Sequence, residues 1–309
     1  MKAIVLHSFG GPEVLRYEDV PTPEPGPGEA LVRIRAAGVT NIDLRTRRGG
    51  SGQPDALPMI LGREGVGEVA HVPDGQGFRK GQRVYTYHWR FCGTCEYCLA
   101  GDENRCVSDP LKKGREDIGL MGSNVSGSYA EYTVAPVRCL VPIPEGLSFE
   151  QACTLATSGG TAWHMLFERG RLCAGETALI LAAGSGIGGI AVQLARLAGA
   201  TVIATTGTPE KMEKAKGLGA HYVLNYAQQK VSQEVMRITK GRGVDLVFET
   251  TGAVTFPESM ASLAMGGRIV VGGKHTGAKV NFDLQHSMPR DWQIIDSMSF
   301  TRRDVQKVY

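Results

Sequence analysis

The second half of the sequence alternates short apolar runs with helical patterns, and this alternation limits the possible fold more than any other feature. Strands that alternate with helices in this way form a parallel sheet with helices on both faces. We therefore expect an α/β fold with a doubly wound parallel sheet from about residue 151 onward. The strand candidates are TALILAA, ATVIATT, HYVLN, VDLVFE and GRIVVGG, and the helix candidates include GGIAVQLARLAG, PEKMEKAKGLG and FPESMASLAM.

A glycine-rich turn, AGSGIGG at residues 183–189, stands between the first of these runs and its helix. Glycines at such a turn let the backbone approach a pyrophosphate and aim the N–H groups of the helix start at its charge. The string alone also fits an ordinary tight turn, but its position after a strand and before a helix favours dinucleotide binding. The candidate contacts are Ser185, Gly186, Ile187 and Gly188.

The end of the second apolar run indicates which nicotinamide cofactor binds. Sites for NAD carry Asp or Glu there to bind the ribose 2′-hydroxyl, whereas a 2′-phosphate requires that charge to be absent and a cation to be near. This sequence has Thr206 at that position, and Lys211 lies one turn into the following helix. The pattern favours NADPH. The alternative is that Lys211 is only a solvated residue of the EKMEKAK helix.

The first 150 residues follow a different pattern, because they are rich in Gly and Pro and carry short runs of β-forming residues. Turn residues bound each run, which indicates an irregular, partly closed β-domain. The runs are KAIVLH, EALVRIRAAGV, GEVAHV, QRVYTY, YAEYTV and RCLVPI.

Four of the seven cysteines lie within one short segment as C-x2-C-x2-C-x7-C, at Cys92, Cys95, Cys98 and Cys106. Thiolates at this spacing can wrap one tetrahedral ion, and four protein ligands leave no open position for substrate. We therefore expect one structural Zn²⁺ per chain, although disulfides or unbound thiols would also account for the cysteines. An iron-sulfur cluster would require C-x2-C-x2-C-x3-C-P, which is absent here. The isolated Cys139, Cys153 and Cys173 are expected to pack as small apolar residues.

The length and composition fit a globular protein of two domains. The chain has 309 residues, 42 % of them apolar, and a formal net charge of +3 from basic and acidic residues spread along its length. It has no basic run typical of a nucleic-acid partner and no apolar segment of the length that a membrane span needs. We expect a cytoplasmic protein, where free thiols and metal thiolates are usual and disulfides are not.

These features together resemble the medium-chain dehydrogenase/reductase superfamily, which includes zinc alcohol dehydrogenases and quinone oxidoreductases. The resemblance implies a GroES-like catalytic domain over residues 1–150, a Rossmann cofactor domain over 151–290 and a return of the chain to the catalytic domain over 291–309, with the active site in the cleft between the domains. It covers nearly the whole chain and rests on MKAIVLHSFGGPEVL, GVTNIDLRTRRG, LGREGVGEV, the cysteine segment, GSYAEY, SGGTAW, AAGSGIGG and GLGAHYVLNY.

The same resemblance implies further contacts and an assembly. Additional cofactor contacts would come from Thr161, Tyr226, Thr251 and Gly272. A homodimer would form through the edge of the cofactor-domain sheet, at the strand that corresponds to GRIVVGG. Family members also continue beyond the region that resembles WQIIDSMSF with about one more helix-strand unit than this sequence has, so we expect either a shortened sequence or a second chain that covers that surface.

The sequence departs from zinc alcohol dehydrogenases at the catalytic metal. Those enzymes have Cys, His and Cys as ligands where this sequence has Thr40, Arg63 and Thr157. Threonine is a poor zinc ligand, and arginine stays protonated and cannot be one. The resemblance thus implies that the cysteine segment keeps its metal while the catalytic site has none, and that Asn41 lies at the same place.

We expect an NADPH-dependent oxidoreductase that reduces a quinone or an α,β-unsaturated carbonyl compound, because conjugation spreads the developing charge onto oxygen without a Lewis acid. Arg63 is the expected donor to that oxygen, and its alternative role is a salt bridge to Asp43 or Glu64. Tyr87 and His88 are more typical of packing than of proton donation. The functional alternatives are an alcohol or aldehyde dehydrogenase without catalytic zinc and a non-catalytic nucleotide-binding protein.

Overall fold

The computed structural model describes residues 1–50, 56–108 and 119–309, and they form two compact units. The first unit comprises Met1–Thr157 with Thr301–Tyr309, and the second comprises Ser158–Phe300. The units therefore divide after residues 157 and 300, whereas the sequence pattern predicted divisions after residues 150 and 290. The first difference arises because composition changes at loops, whereas this division falls inside a helix that begins at Phe149.

The first unit is built on antiparallel strands, and the six predicted β-runs all contribute to them. The strands are β1 Lys2–Leu6, β2 Leu15–Asp19, β3 Glu29–Gly38, β4 Met59–Ile60, β5 Glu64–His71, β6 Arg83–Thr86, β7 Trp89–Arg90, β8 Gly119–Leu120, β9 Tyr132–Pro136 and β10 Leu140–Pro142. A five-stranded sheet has the order β10-β6-β5-β3-β9, and a smaller sheet has the order β2-β1-β4, with a short β7-β8 pair beside them.

The first unit also contains three short helices, and a longer helix begins in it. They are α1 Asn41–Arg47, α2 Glu96–Ala100, α3 Phe149–Trp163 and α9 Arg302–Val308, and single 3₁₀ turns lie at Pro12–Val14, Glu103–Arg105 and Val137–Cys139. Both α1 and α9 begin with a capping box, in which a Thr side chain and an Asp three residues later satisfy the free N–H groups of the helix start. The residues Thr40 and Thr301 therefore fix where these helices start.

The second unit is a six-stranded parallel sheet with helices between its strands, and a π-helical turn, His164–Arg169, precedes it. The strands are β11 Thr177–Ile180, β12 Thr201–Thr206, β13 Tyr222–Asn225, β14 Val244–Glu249, β15 Leu263–Val271 and β16 Gln293–Asp296. The helices are α4 Gly186–Leu197, α5 Pro209–Gly217, α6 Val231–Ile238, α7 Phe256–Ala261 and α8 Leu284–Ser287, followed by a 3₁₀ turn at Met288–Arg290. The sheet order is β13-β12-β11-β14-β15-β16, which is the 3-2-1-4-5-6 order of a dinucleotide-binding fold.

The central strands of this sheet are buried on both faces. On β11, Ala178 and Ile180 pack in one hydrophobic cluster with residues of α4, whereas the intervening Leu179 packs in a second cluster with residues of α6 and α7. Because side chains alternate along a strand, the two clusters lie on opposite faces. This burial explains why the strand sequences are continuous apolar runs.

Three expectations are corrected by the fold. GRIVVGG does not form the sheet edge, because β15 pairs with β14 on one side and with β16 on the other. The helix predicted over FPESMASLAM ends at Ala261, and the residues after Ser262 enter β15. Cys173 is exposed instead of packed, whereas Cys139 and Cys153 are buried as expected.

Among the described residues, no helix has both the length and the apolar character needed to cross a membrane.

Candidate functional site

The glycine-rich turn of the second unit joins β11 to α4 as predicted. Ser185 is the N-cap of α4, and its Oγ accepts a hydrogen bond from the backbone N–H of Gly188 at 3.1 Å. A Cβ at Gly188 would collide with the carbonyl oxygen of Ala182, so this glycine allows helix and strand to approach closely. At Gly186, by contrast, the nearest atom to such a Cβ is 3.7 Å away. The helix start is therefore open where a pyrophosphate would bind.

Lys211 lies beside this turn. A Cβ at Gly184 would come within 2.7 Å of Lys211 Cδ and 2.9 Å of its Cγ, so the aliphatic stem of the lysine covers the glycine. Thr206, the other residue predicted to select the cofactor, is only 2 % exposed, and no described residue is a hydrogen-bond partner of its Oγ1. The position thus has no carboxylate, and a cation lies close to the turn.

Tyr226 covers Gly207, the residue that follows Thr206 at the end of β12. A Cβ at Gly207 would come within 2.5 Å of the Tyr226 hydroxyl oxygen. Tyr226 is 58 % exposed, so its ring and hydroxyl are available to a ligand. Lys211 and Tyr226 therefore flank the end of β12 with an ammonium group and a hydroxyl.

A cavity of about 470 Å³ lies at the carboxyl ends of these parallel strands. Tyr226 and Thr251, two of the residues expected to contact the cofactor, line it. Sequence reasoning missed the remaining lining residues, which come from the ends of β11 and β12, from α6 and α7, and from the loops beside them. These residues are Leu181, Ala182, Thr205, Gln229, Lys230, Val231, Val254, Thr255, Glu258, Ser259 and Thr276.

The wall of this cavity is held by Glu249, a fully buried carboxylate at the end of β14. Its Oε1 accepts hydrogen bonds from the backbone N–H groups of Thr251 at 2.7 Å and Gly252 at 3.1 Å, and its Oε2 accepts one from Ser259 Oγ at 2.6 Å. Thr255 Oγ1 donates to the same carboxylate at 3.0 Å. A buried carboxyl group with this many hydrogen-bond donors fixes the loop that carries Thr251.

The last two predicted cofactor residues do not line the cavity. Gly272 follows β15, and a Cβ there would collide with the sulfur of Met165, which gives this glycine a packing role. Thr161 lies in α3 and is half-buried.

The four predicted metal ligands of the first unit converge as expected. The sulfur atoms of Cys92, Cys95, Cys98 and Cys106 all lie within 4.8 Å of one another. The Sγ atoms of Cys92 and Cys98 are 3.8 Å apart. A tetrahedral ion with Zn–S bonds of about 2.3 Å requires sulfur–sulfur distances of about 3.8 Å. The donor set and its spacing therefore fit a structural zinc ion.

The metal loop is tied to the last helix of the unit. Glu103, between the third and fourth ligands, is 2 % exposed and accepts hydrogen bonds from the backbone N–H of Arg302 at 2.8 Å and from its Nε at 3.1 Å. Arg302 Nη1 also donates to the Arg138 carbonyl at 2.5 Å, and Arg138 Nε donates to the Phe91 carbonyl at 2.7 Å. These bonds join α9 to both ends of the loop.

At the positions of the catalytic zinc ligands, Thr40 is already engaged. Its Oγ1 donates to Asp43 Oδ2 at 2.6 Å, and it accepts from the Asp43 backbone N–H at 3.4 Å. Asn41 is the first residue of α1 and is exposed. Helix capping therefore accounts for Thr40 without a substrate contact.

Arg63 immediately precedes β5 and is half-buried. Its Nη2 donates to Ser123 Oγ at 3.3 Å, and within the described ranges no acceptor is hydrogen-bonded to its buried Nε. Burial lowers the pKa of Arg63 to about 10, and the charge of Asp43 opposes this shift, so the guanidinium is protonated at neutral pH. The alternative of an ion pair with Asp43 or Glu64 is not observed. Asp43 acts on Arg63 only at longer range.

Thr157, the third of these positions, belongs to a buried polar group. The Oγ1 of Thr157 lies 3.4 Å from the hydroxyl of Tyr85, which in turn lies 3.5 Å from Nδ1 of His88. Thr157 also hydrogen-bonds the carboxyl group of Glu64. Sequence reasoning had considered Tyr87 and His88 as proton donors, but the tyrosine that reaches Thr157 is Tyr85.

Burial changes the protonation of this group. It raises the pKa of Glu64 to about 7, an effect that the Thr157 hydrogen bond opposes and the charge of Asp43 supports. Burial and the charge of Arg63 lower the pKa of His88 to about 3, and burial holds the pKa of Tyr85 well above its ordinary value. At neutral pH the imidazole and the phenol are therefore uncharged, while the Glu64 carboxyl exchanges a proton.

Two protein families match the chain. Residues 26–145 match the alcohol dehydrogenase GroES-like domain, and residues 186–309 match the zinc-binding dehydrogenase family. The acryloyl-coenzyme A reductase of Sulfurisphaera tokodaii is 32 % identical over 99 % of this chain and 87 % of its own length. The quinone oxidoreductase of Pseudomonas aeruginosa is 32 % identical over 92 % of this chain and 76 % of its own length. A solved structure of an NAD-dependent alcohol dehydrogenase is 38 % identical, covers 100 % of this chain and 88 % of its own, and has a TM-score of 0.90.

Proposed function

The chain belongs to the medium-chain dehydrogenase/reductase superfamily, and we propose that within it this oxidoreductase uses NADPH to reduce quinones or α,β-unsaturated carbonyl compounds without a catalytic metal. The observation that carries the proposal is the replacement of all three catalytic zinc ligands, most of all by Arg63. A protonated guanidinium at a ligand position repels a metal cation. The reaction that remains accessible is one in which conjugation, and not a Lewis acid, makes the substrate an acceptor.

Bound NADPH would supply the hydride. Within the protein, the glycine-rich turn and the start of α4 provide the N–H groups for its pyrophosphate, and Thr251 and Tyr226 line the adjacent cavity. Lys211 and the hydroxyl of Tyr226 supply donors for a 2′-phosphate at a strand end with no carboxylate. This arrangement supports NADPH over NADH, although several similar proteins are named as NAD-dependent.

Arg63 is the proposed donor to the substrate oxygen. Its Nε has a hydrogen atom that no described residue accepts, and leaving a buried donor unpaired is costly. An oxygen that gains negative charge as the substrate accepts the hydride would pair with it. The relatives support this assignment, because one is named for acryloyl-coenzyme A, an unsaturated thioester, and one for quinones.

A second candidate is an alcohol or aldehyde dehydrogenase in which Arg63 replaces the metal, and the 38 % identity to a named alcohol dehydrogenase favours it. Oxidation of NADPH should be followed with a panel of enones, unsaturated thioesters and quinones, and reduction of NADP⁺ with a panel of alcohols. Turnover of the first panel is expected. Turnover of alcohols alone would establish the second candidate, and saturable nucleotide binding without any turnover would indicate a non-catalytic protein.

Arg63→Ala tests the assigned donor. The loss of one donor to a developing oxyanion should reduce kcat by about 10²- to 10³-fold, while zinc content by metal analysis stays unchanged. Arg48→Ala is the matched control, because Arg48 is an exposed arginine just after α1. Equal activity of the Arg63→Ala variant and the wild type would contradict the role.

We further propose a homodimer. The supporting observation is β16, which in the described part of the chain pairs only with β15 and leaves one side of the strand open. Its Ile294 is 43 % exposed, and several exposed apolar side chains lie on neighbouring segments. These are Met265 at 73 %, Leu284 at 61 %, Met288 at 75 % and Met298 at 61 % exposure.

A further inference from the structure

A carboxyl group and three further side chains form a buried polar line in the first unit, and the proposed function leaves part of it unused. The line runs from Glu64 through Thr157 and Tyr85 to His88. Glu64 is 6 %, Tyr85 0 % and His88 5 % exposed, whereas Thr157 is only half-buried. Among these four, Thr157 therefore offers the group that a substrate could reach.

Reduction of a conjugated carbonyl requires a proton as well as a hydride. When the β-carbon has accepted the hydride, the resulting enolate carries the negative charge, and a proton must reach its α-carbon or its oxygen. Arg63 stabilises such a charge by donating hydrogen bonds but, with its high pKa, it is a poor source of the proton itself. The proposed reaction thus needs a separate acid.

We propose that Glu64 supplies this proton through the hydroxyl of Thr157, which acts as the catalytic donor at the substrate, while Tyr85 and His88 position that hydroxyl. The inference rests on the proposed function. In the step, the O–H bond of Thr157 breaks as the enolate takes its proton, and the Thr157 oxygen takes the proton of the Glu64 carboxyl. Glu64 is left as a carboxylate and is reprotonated from water. No further reactant is needed.

The hydrogen-bonding capacities of the line allow this transfer. Each hydroxyl both donates and accepts, and neutral imidazole Nδ1 can do either depending on its tautomer. When Glu64 is protonated, its proton is donated to Thr157 and Tyr85 donates to His88, which leaves the single hydrogen of Thr157 to be donated either to Tyr85 or to the substrate. When Glu64 is ionised, the direction of all three bonds reverses. The line therefore stays hydrogen-bonded in both states of the acid.

The surroundings of Glu64 keep its proton available near neutrality. Its pKa of about 7 suits a general acid at physiological pH, where both protonated and ionised forms are populated. A Cβ at Gly38 would collide with Oε2 of Glu64, so the carboxyl group lies directly against the backbone of β3. The titratable groups that face Glu64 from neighbouring elements are Asp43 of α1, Tyr85 of β6, Tyr129, Cys153 of α3 and Tyr309 at the end of α9, and Arg63 precedes it in the chain.

The first test uses the cofactor-free protein. Infrared difference titration should show a carboxyl group with a pKa near 7 that is absent from Glu64→Gln. In Thr157→Val this pKa should rise, because the Thr157 hydrogen bond stabilises the ionised form. Thr157→Ser keeps the hydroxyl and should titrate as the wild type does. A wild-type protein without a carboxyl group that titrates near pH 7 would overturn the inference.

The second test is the pH profile of kcat/KM for enone reduction with NADPH. Because the acid must be protonated, the rate should be full below pH 7 and fall above it. Thr157→Val should lose about 10²-fold in rate together with this inflection, and Thr157→Ser should retain both. Glu64→Gln should also lose the inflection. If Thr157→Val keeps the wild-type rate and profile, the relay is wrong while the proposed reductase remains. A wild-type protein that reduces no enone or quinone removes both.

Discussion

The side chain of Lys211 can lie beside the glycine-rich turn because its neighbour there, Gly184, has no side chain. Its stem lies on Gly184 because glycine leaves room for it, and the first turn of α5 holds its backbone N–H on Thr208 Oγ1 at 3.3 Å. The lysine is thereby kept near the glycine-rich turn. A charge held beside an anion site contributes more than one on a flexible surface side chain, because less conformational entropy is lost on binding.

Lys211→Ala should weaken NADPH binding by about tenfold and leave NADH binding nearly unchanged, since only NADPH carries the 2′-phosphate. Titration of both nucleotides by fluorescence or calorimetry measures the two dissociation constants. Lys214→Ala is the control, because Lys214 is an exposed lysine one turn further along the same helix. Wild-type protein that binds NADH more tightly than NADPH would contradict the cofactor assignment.

At the residue scale, the sequence was most informative where the chemistry is local. Four cysteines within one segment predicted one metal site, because their spacing already limits how they can fold. Glu64, Tyr85 and Thr157 come from two strands and a helix that are far apart in sequence, so no spacing rule joins them. Thr40 was selected only because it corresponds to a zinc ligand of the family, and in the structure its side chain caps α1.

Among the elements, the cysteine loop has little regular structure of its own, and its four ligands fit a structural zinc ion. The loop has only short helical turns, Glu96–Ala100 and Glu103–Arg105, and its ligands Cys92, Cys95 and Cys98 are not fully buried. A segment with so little apolar packing needs covalent or metal crosslinks to hold one conformation. The bonds from Glu103 to Arg302 then transmit that order to α9.

Cys95→Ser should therefore lower zinc content and reduce the free energy of unfolding by a few kcal/mol, which corresponds to a decrease of roughly 10 °C in Tm for a unit of this size. The rate per folded molecule should stay close to that of the wild type, because an ion with four protein ligands has no open position for substrate. Cys173→Ser, at an exposed cysteine outside the loop, should change neither quantity. Two zinc ions per chain, or activity restored to folded, metal-stripped protein by zinc alone, would disprove a purely structural ion.

The type of each element was easier to predict than its neighbours in the sheet. Apolar runs such as VDLVFE identified the buried strands of the parallel sheet, because both faces of such strands are covered. The same composition contains no information about lateral order. The edge at GRIVVGG was expected from the family resemblance, and β16 lies beyond it. QIID is short and largely exposed, and its strand character depends on pairing with β15.

For the whole molecule, the open side of β16 has a testable consequence. If two copies pair there, Ile294→Lys should place charges at the contact and shift the protein from dimer to monomer, as measured by light scattering at micromolar concentration. Leu197→Lys, at an exposed leucine on α4, should leave the mass unchanged. A wild-type protein that is monomeric at that concentration would refute the homodimer.

The charge of Arg63 also limits which substitutions could turn this region into a metal site. Cysteines placed at both positions 40 and 157 would not by themselves create a zinc site while the guanidinium remains, because a protonated group at the third ligand position repels a second cation. The design of a zinc site here would therefore have to begin with the replacement of Arg63.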